Sequence, residues 1–381
     1  MQAEYTELFS WLRLVLTPGV GPQASRKLLA AFGSAPAIFE QSLYTLEQIV
    51  TSRQAQAITQ IPQQYPSTCD TLQQWLENKP WHHAIPLGTP HYPQSLLNTA
   101  DPPLLLYASG HLELLCNPAL AMVGSRQPTP QGQETAKDFA KTLSQQGITI
   151  ISGLAHGIDG ISQAAALEGQ GSTIAILGTG IDRVYPASHH TLAHKIAQDG
   201  LLLSEYPLGT PPTAHNFPKR NRIIAGLASG TLVVEATLHS GSLITARLAA
   251  EMGKEVFAIP GSIHSPQSKG CHWLIRQGAK LVETAQDIIE ELRFPAIQPI
   301  LHSETSQTTP QAKDTLTPDA TSSAHQPILD AIGEGPTSFE AISMRTGLDT
   351  ATLQTELLAL ELKQQIARIP GNLYQRLHTA T

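Results

Sequence analysis

Apolar residues recur at helical spacing in the first 80 residues, at Leu8, Trp11, Leu12, Val15 and Leu16 and again at Leu28, Leu29 and Phe32. Residues 1–80 therefore read as a small all-α domain. From about Trp81 to Gly110 the chain is Pro-rich and irregular, ending in the apolar run Leu104-Leu105-Leu106-Tyr107. The period then changes. Short apolar runs at Leu120–Val123, Ile148–Ile151, Thr173–Leu177, Leu201–Leu203, Thr231–Val234, Glu255–Ile259 and Lys280–Val282 alternate with stretches of helical composition such as Gln133–Gln145 and Ser242–Met252. Runs without polar interruption suit strands covered on both faces, so residues 81–294 are expected to form a mostly parallel α/β sheet built from βαβ units.

Residues 295–326 lose this pattern and are rich in Ser, Thr, Pro and Gln, as in Ser303-Glu304-Thr305-Ser306-Gln307-Thr308-Thr309-Pro310. Such a stretch buries too little apolar surface to offset its ordering entropy and is expected to be a flexible linker. In residues 327–381, Thr337-Ser338-Phe339-Glu340 reads as a capping box, Gly347 as a helix stop and Asp349 as the next cap, before a helix through Leu353, Leu357 and Leu360. Ile366–Ile369 and Leu373–Arg376, joined by Pro370-Gly371-Asn372, complete a hairpin. Helix, helix, hairpin is a winged-helix pattern.

Composition narrows the function classes. With 381 residues, 41% hydrophobic, there is material for two or three domains. No run approaches the length of a membrane span, and the first residues lack a signal-peptide pattern. The three cysteines, Cys69, Cys116 and Cys271, are scattered, and the pairs His82-His83 and His189-His190 lack a ligand-spaced partner cluster. Neither a disulfide framework nor a metal site is expected, and a reducing cytoplasm is the expected location. The formal net charge is −7, yet no acid occurs from Leu8 to Phe39, from Tyr206 to Val234 or from Leu362 onward, and each window carries three Lys or Arg residues. Local positive islands in an acidic chain keep a nucleic-acid partner open.

The candidate chemistry sits just after the predicted strands: Gly124-Ser125-Arg126, Ser152-Gly153 through Gly157-Ile158-Asp159, Gly178-Thr179-Gly180, His239-Ser240-Gly241-Ser242 and Pro260-Gly261-Ser262. Glycines at the carboxyl ends of parallel strands let backbone N–H groups approach an anion, and the five turns suggest a phosphate-binding rim. The alternative is that they only make tight strand–helix connections. No Walker sequence or dinucleotide fingerprint is completed, so no nucleotide cofactor is expected. The string His215-Asn216-Phe217-Pro218-Lys219-Arg220-Asn221-Arg222 gathers three cations, amides and an aromatic ring without a carboxylate. Cations and amides suit phosphates and an aromatic face can stack a base, a combination fitted to single-stranded nucleic acid. Alternatively Phe217 is core and an arginine ties to Glu205 or Glu235.

These strings, together with Tyr185-Pro186, Ser204-Glu205-Tyr206-Pro207, Glu235-Ala236 and Leu243-Ile244-Thr245-Ala246, resemble the DprA (Smf) DNA-processing family over about Pro86 to Leu292. The resemblance implies a Rossmann-like domain that binds single-stranded DNA, usually as a homodimer, and that protects incoming DNA and loads the RecA recombinase during natural transformation, without catalysis. It implies that Arg126, Phe217, Lys219, Arg220, Asn221 and Arg222 line the DNA pocket, and the strand-end rim adds Gly124, Ser125, Gly178, Gly180, Ser240, Gly241 and Ser242 as candidate single-strand contacts. One departure is Ala187, where many members carry a basic residue; either Lys195 substitutes or the grip is weaker.

Thr17-Pro18-Gly19-Val20-Gly21-Pro22 followed by Arg26 and Lys27 resembles a helix-hairpin-helix, so Gly19, Gly21, Arg26 and Lys27 are candidate auxiliary DNA contacts; the alternative is a Pro-Gly turn between packing helices. The second helix of the winged unit carries Asp349, Glu356 and Glu361 against Lys363 alone, which suits protein contacts or auxiliary backbone binding better than groove reading. Two rival functions remain. One is a nucleoside-monophosphate phosphoribohydrolase using Asp159, Glu205 or Glu235, although Pro260-Gly261-Ser262 lacks that group's Pro-Gly-Gly-x-Gly-Thr turn. The other is a winged-helix regulator with a ligand-sensing domain.

Overall fold

The computed structural model describes residues 2–294, 326–332, 337–363, 365–369 and 373–377. Nearly all of the predicted linker, 295–325, and the Pro370-Gly371-Asn372 turn lie outside the described residues. Nine strands form the central sheet: β1 (His82–Pro86), β2 (Leu105–Gly110), β3 (Ala119–Val123), β4 (Thr149–Ser152), β5 (Thr173–Ile176), β6 (Leu201–Ser204), β7 (Gly230–Val233), β8 (Glu255–Ala258) and β9 (Lys280–Leu281), in the order β1-β2-β6-β5-β4-β3-β7-β8-β9. The seven strands from β6 to β9 run parallel, and β1 and β2 close the β6 edge antiparallel.

Side chains of β3 show why the apolar runs predicted a sheet covered twice. Leu120 and Met122 enter a core cluster with Phe139, Leu143 and Phe257, while Ala121 and Val123 enter another with Ile223, Ile224 and Ala246. A strand with period-2 side chains feeds both layers only when both faces are covered.

The seven predicted parallel strands are all present, each within a residue or two of its expected bounds. The antiparallel pair was not anticipated. In β1 only Ile85 is buried, and His82, His83 and Pro86 give no strand signal, as suits an edge strand. What holds β2 is packing: Leu105 and Tyr107 join Leu12 and Leu72 of the helices Gln2–Leu16 and Tyr65–Asn78. Those two helices seat the all-α N-terminal region on the sheet. There Gly19, at φ +76, makes the turn, and Pro22 opens the helix Pro22–Phe32.

In the C-terminal unit, helices Gln326–Ile332, Phe339–Thr346 and Thr350–Leu362 pack with a three-stranded sheet of Thr337–Ser338, Leu373–Arg376 and Ile366–Ile369. Gly347 stops a helix at φ +68, and Asp349 accepts the Thr352 N–H at 3.1 Å, as expected. The capping box is corrected: Ser338, not Thr337, caps, accepting from Ala341 N at 3.3 Å, because Thr337 is held in the sheet with its hydroxyl on the Ile332 carbonyl.

Lys254 pins one helix of the central domain. Its ammonium donates to the carbonyls of Ala225, Gly226 and Ala228 at 2.9, 2.6 and 2.7 Å, at the carboxyl end of the helix Asn216–Leu227. Lys254→Met leaves those carbonyls without a donor and is expected to lower stability by about 2 kcal/mol in urea unfolding.

Candidate nucleic-acid interface

The chain steps from β3 through β4 and β5 to β6 on one side, then returns to place β7 against β3. At such a reversal the loops leaving neighbouring strands diverge and open a crevice at their carboxyl ends. A cavity of about 550 Å³ lies there, walled by Gly124, Ser125 and Arg126 after β3, by Thr237, Ser240, Gly241 and Ser242 after β7, and by Phe217, Arg220 and Asn221 of the helix Asn216–Leu227.

Local bonds fix each wall. Ser125 accepts the Gln127 N–H on its hydroxyl at 3.1 Å and the Ile158 N–H on its carbonyl at 3.1 Å, locking the β3 and β4 turns together. A Cβ on Gly157, at φ +77, would fall 2.2 Å from that Ser125 carbonyl oxygen, so only glycine allows the approach. Opposite, the Ser240 and Ser242 hydroxyls bond at 2.7 Å where the helix Ser242–Glu251 begins. The first turn of the helix Asn216–Leu227 is tied down by Asn216, whose amide donates to the Gly178 carbonyl at 3.2 Å.

The four predicted cations divide in two. Arg126 and Lys219 are exposed. Arg220 is 5% exposed and its guanidinium donates to the carbonyls of Gly153 and Ile176, at the ends of β4 and β5. Asp159 meets it beside Gly153, where an added Cβ would touch both side chains, and accepts the Gly153 N–H at 3.0 Å. Burial pulls the Arg220 guanidinium down to about 10, opposed by Asp159, and pushes the Asp159 carboxyl up, opposed by Arg220. Arg222 points away from the cavity to Glu205, with Asp101 at 3.4 Å. Of the four cations expected to grip phosphates, Arg220 wedges the cavity wall and Arg222 ties the helix to Glu205; Arg126 lines the cavity exposed, and Lys219 is exposed beside it without lining it.

The glycine rim is corrected as well. Gly178 and Gly180 are buried and do not line the cavity. A Cβ on Gly178 would come within 2.7 Å of the Phe217 ring, so this glycine seats the ring rather than an anion. The Pro260-Gly261-Ser262 turn borders a separate cavity of about 120 Å³ beside Glu235. The structure also adds Gln127, Thr237, Thr245 and Gln267 to the lining. These neutral polar residues carry no charge signal in the sequence, and only the topology brings them together.

The acids proposed for hydrolysis are all engaged. Glu235 accepts the Thr129 N–H at 2.9 Å and the Thr129 hydroxyl at 2.6 Å, holding the residue that caps the helix Pro130–Gln145, and burial raises its pKa. Glu205 holds Arg222, and Asp159 sits with Arg220. Among the described residues no cluster of three His, Cys, Asp or Glu side chains is arranged to hold a metal ion, and no helix is long and apolar enough to cross a membrane.

In the N-terminal region Gly21, Arg26 and Lys27 line a cavity of about 810 Å³ together with Glu47 and Asp101; Gly19 stands outside it. Asp101 also pairs with Arg222, which ties the border of this cavity to the helix Asn216–Leu227.

Topology and site together define a Rossmann-like module with a strand-end cavity that presents Arg126 and the Phe217 ring. A family model for DNA recombination-mediator protein A matches residues 83–293, a DprA-like N-terminal HHH domain residues 5–62, and a DprA winged helix domain residues 310–372. Protein Smf of Escherichia coli is 43% identical over 332 residues, covering 87% of this chain and 86% of its own. DNA processing protein DprA of Streptococcus pneumoniae is 48% identical over 203 residues, covering 53% of this chain and 72% of its own. The crystal structure of the Streptococcus pneumoniae protein aligns with a TM-score of 0.65 at 36% identity, over 75% of this chain and 97% of that one. The DNA processing protein A of Helicobacter pylori, whose structure concerns its single-stranded DNA binding mode, aligns with a TM-score of 0.51 at 33% identity over 55% and 96%. The chain belongs to the DprA/Smf family.

The division of the cations predicts a large stability effect at one and almost none at the other. Arg220→Met leaves Asp159 buried without its partner and is expected to cost about 3–5 kcal/mol. Arg126→Ala changes stability by less than about 0.5 kcal/mol. Urea unfolding of the two variants checks both.

Proposed function

We propose that this protein binds single-stranded DNA in the strand-end cavity, with Arg126 and Lys219 on phosphates, Asn221 and the Ser240–Ser242 turn as neutral donors, and Phe217 against a base. The observation that carries this is Arg126 and the Phe217 ring lining one crevice, with Lys219 exposed on the helix that forms its wall. Phosphate charge supplies grip and the ring supplies a preference for unpaired bases. No reaction step is required: bound strand is shielded, and handing it to a partner needs only differential binding. Family membership supports the further roles of protecting incoming DNA and loading RecA recombinase in natural transformation, in the cytoplasm, as a homodimer. Two cavities on one strand raise affinity through effective concentration. The hairpin with Gly21, Arg26 and Lys27 serves as an auxiliary backbone contact. The winged unit serves protein contacts, on the domain plan of residues 1–80, 81–294, 295–326 and 327–381.

With Arg126 and Lys219 as the two exposed cations that meet phosphates, the affinity for oligo-dT is expected to fall with salt at a log–log slope of about −1.4 per site. Arg126→Ala and Lys219→Ala each flatten that slope by about 0.7 and weaken binding at low salt. Unchanged affinity in both variants, read by anisotropy, would overturn the site. Removing Pro327–Thr381 is expected to leave oligo-dT affinity within a few-fold; a hundredfold loss contradicts the role given to the winged unit.

A further inference from the structure

Tyr185 belongs to none of the walls described above, yet it touches one. It follows β5 and is 50% exposed, a large exposure for an aromatic side chain. Its ring centroid lies 5.2 Å from that of Phe217, with the planes inclined by 41°. Phe217 lines the cavity. Its own ring is fixed from behind by the Gly178 backbone, and the Arg220 guanidinium carbon lies 5.7 Å from its centroid. Tyr185 is therefore supported by a ring that cannot retreat, and it presents the rest of its surface to solvent just outside the cavity mouth.

A single exposed aromatic residue is ordinary on a protein surface. This one differs because it continues an aromatic surface that begins inside the cavity. The two rings are in contact, so no base fits between them; what remains available is the outer face of Tyr185. We infer that Tyr185 is a second base-stacking residue, which receives the nucleobase next to the one held at Phe217 as the strand leaves the cavity. This rests on the single-strand reading above and extends it. In a duplex both faces of each base are covered by neighbouring pairs, so a stacking platform at the exit favours unpaired strands and adds little for paired ones. Tyr185 thereby contributes to the choice between single and double strands, whereas Arg126 and Lys219, which meet phosphates, act on both.

Because the side chain is half exposed, its replacement leaves the fold intact. The test compares the parent protein with Tyr185→Ala and Tyr185→Phe, by anisotropy, on labelled oligo-dT, on an abasic oligonucleotide of equal length and on duplex DNA, across a salt series. Tyr185→Ala is expected to bind oligo-dT about tenfold more weakly, with an unchanged salt slope and unchanged affinity for the abasic and duplex probes. Tyr185→Phe is expected to match the parent. Parent-like affinity of Tyr185→Ala for oligo-dT overturns the proposal, as does a loss shared equally by the abasic probe, or a Tyr185→Phe variant as weak as Tyr185→Ala. Parent protein that ignores oligo-dT overturns the functional reading itself, and the stack with it.

Discussion

One buried guanidinium organises the cavity. Arg220 reaches from the second turn of its helix to the carbonyls at the ends of β4 and β5. A charged group so deeply placed is costly unless it is paired and hydrogen-bonded. Asp159 supplies the charge, and the Gly153 and Ile176 carbonyls accept its protons. Gly153 is held without a side chain because a Cβ there would overlap the guanidinium. The consequence reaches the surface. With Arg220 anchored inward, Lys219 before it is exposed and Asn221 after it borders the cavity, while Arg222, one position further, turns to Glu205.

This arrangement explains how an acidic chain keeps a usable positive face. The formal net charge of −7 is spread over the whole chain, but the window from Tyr206 to Val234 holds cations alone. Two of its three cations are spent on structure, drawing in acids from other elements. Arg126, from a different turn, stays exposed at the crevice, and Lys219 is exposed on the helix beside it, its charge also acting on Glu205. Few, exposed charges beside an aromatic surface favour moderate phosphate attraction combined with base stacking, which discriminates strands by their unpaired bases. The same bookkeeping of partners weakens the hydrolase alternative. Glu205 and Glu235 are turned away from the cavity into structural bonds, and Asp159, which does line it, is matched to Arg220.

The parallel core was legible because its strands are uninterrupted apolar runs at regular intervals, and sterically forced glycines mark their ends. The edge pair β1–β2 was not, since its stability comes from Leu12 and Leu72 packing on Leu105 and Tyr107 rather than from local pattern. The candidate site shows the same divide. Residue type and proximity marked Arg126, Phe217, Lys219 and Asn221, all of which lie at the crevice or beside it. Sequence cannot say which way a side chain leaves a helix that it has not yet placed, so Arg220 and Arg222 read the same as Lys219. Gly178 and Gly180 read as an anion cradle because they follow a strand, whereas the Phe217 ring occupies the space in front of Gly178.

The most direct measurement is the reactivity of lysine amines toward an acylating reagent, read by mass spectrometry with and without saturating oligo-dT. The account predicts strong protection of Lys219, and none for Lys141 of the helix Pro130–Gln145, which pairs with Glu168. Equal labelling of Lys219 in the free and saturated protein would contradict it.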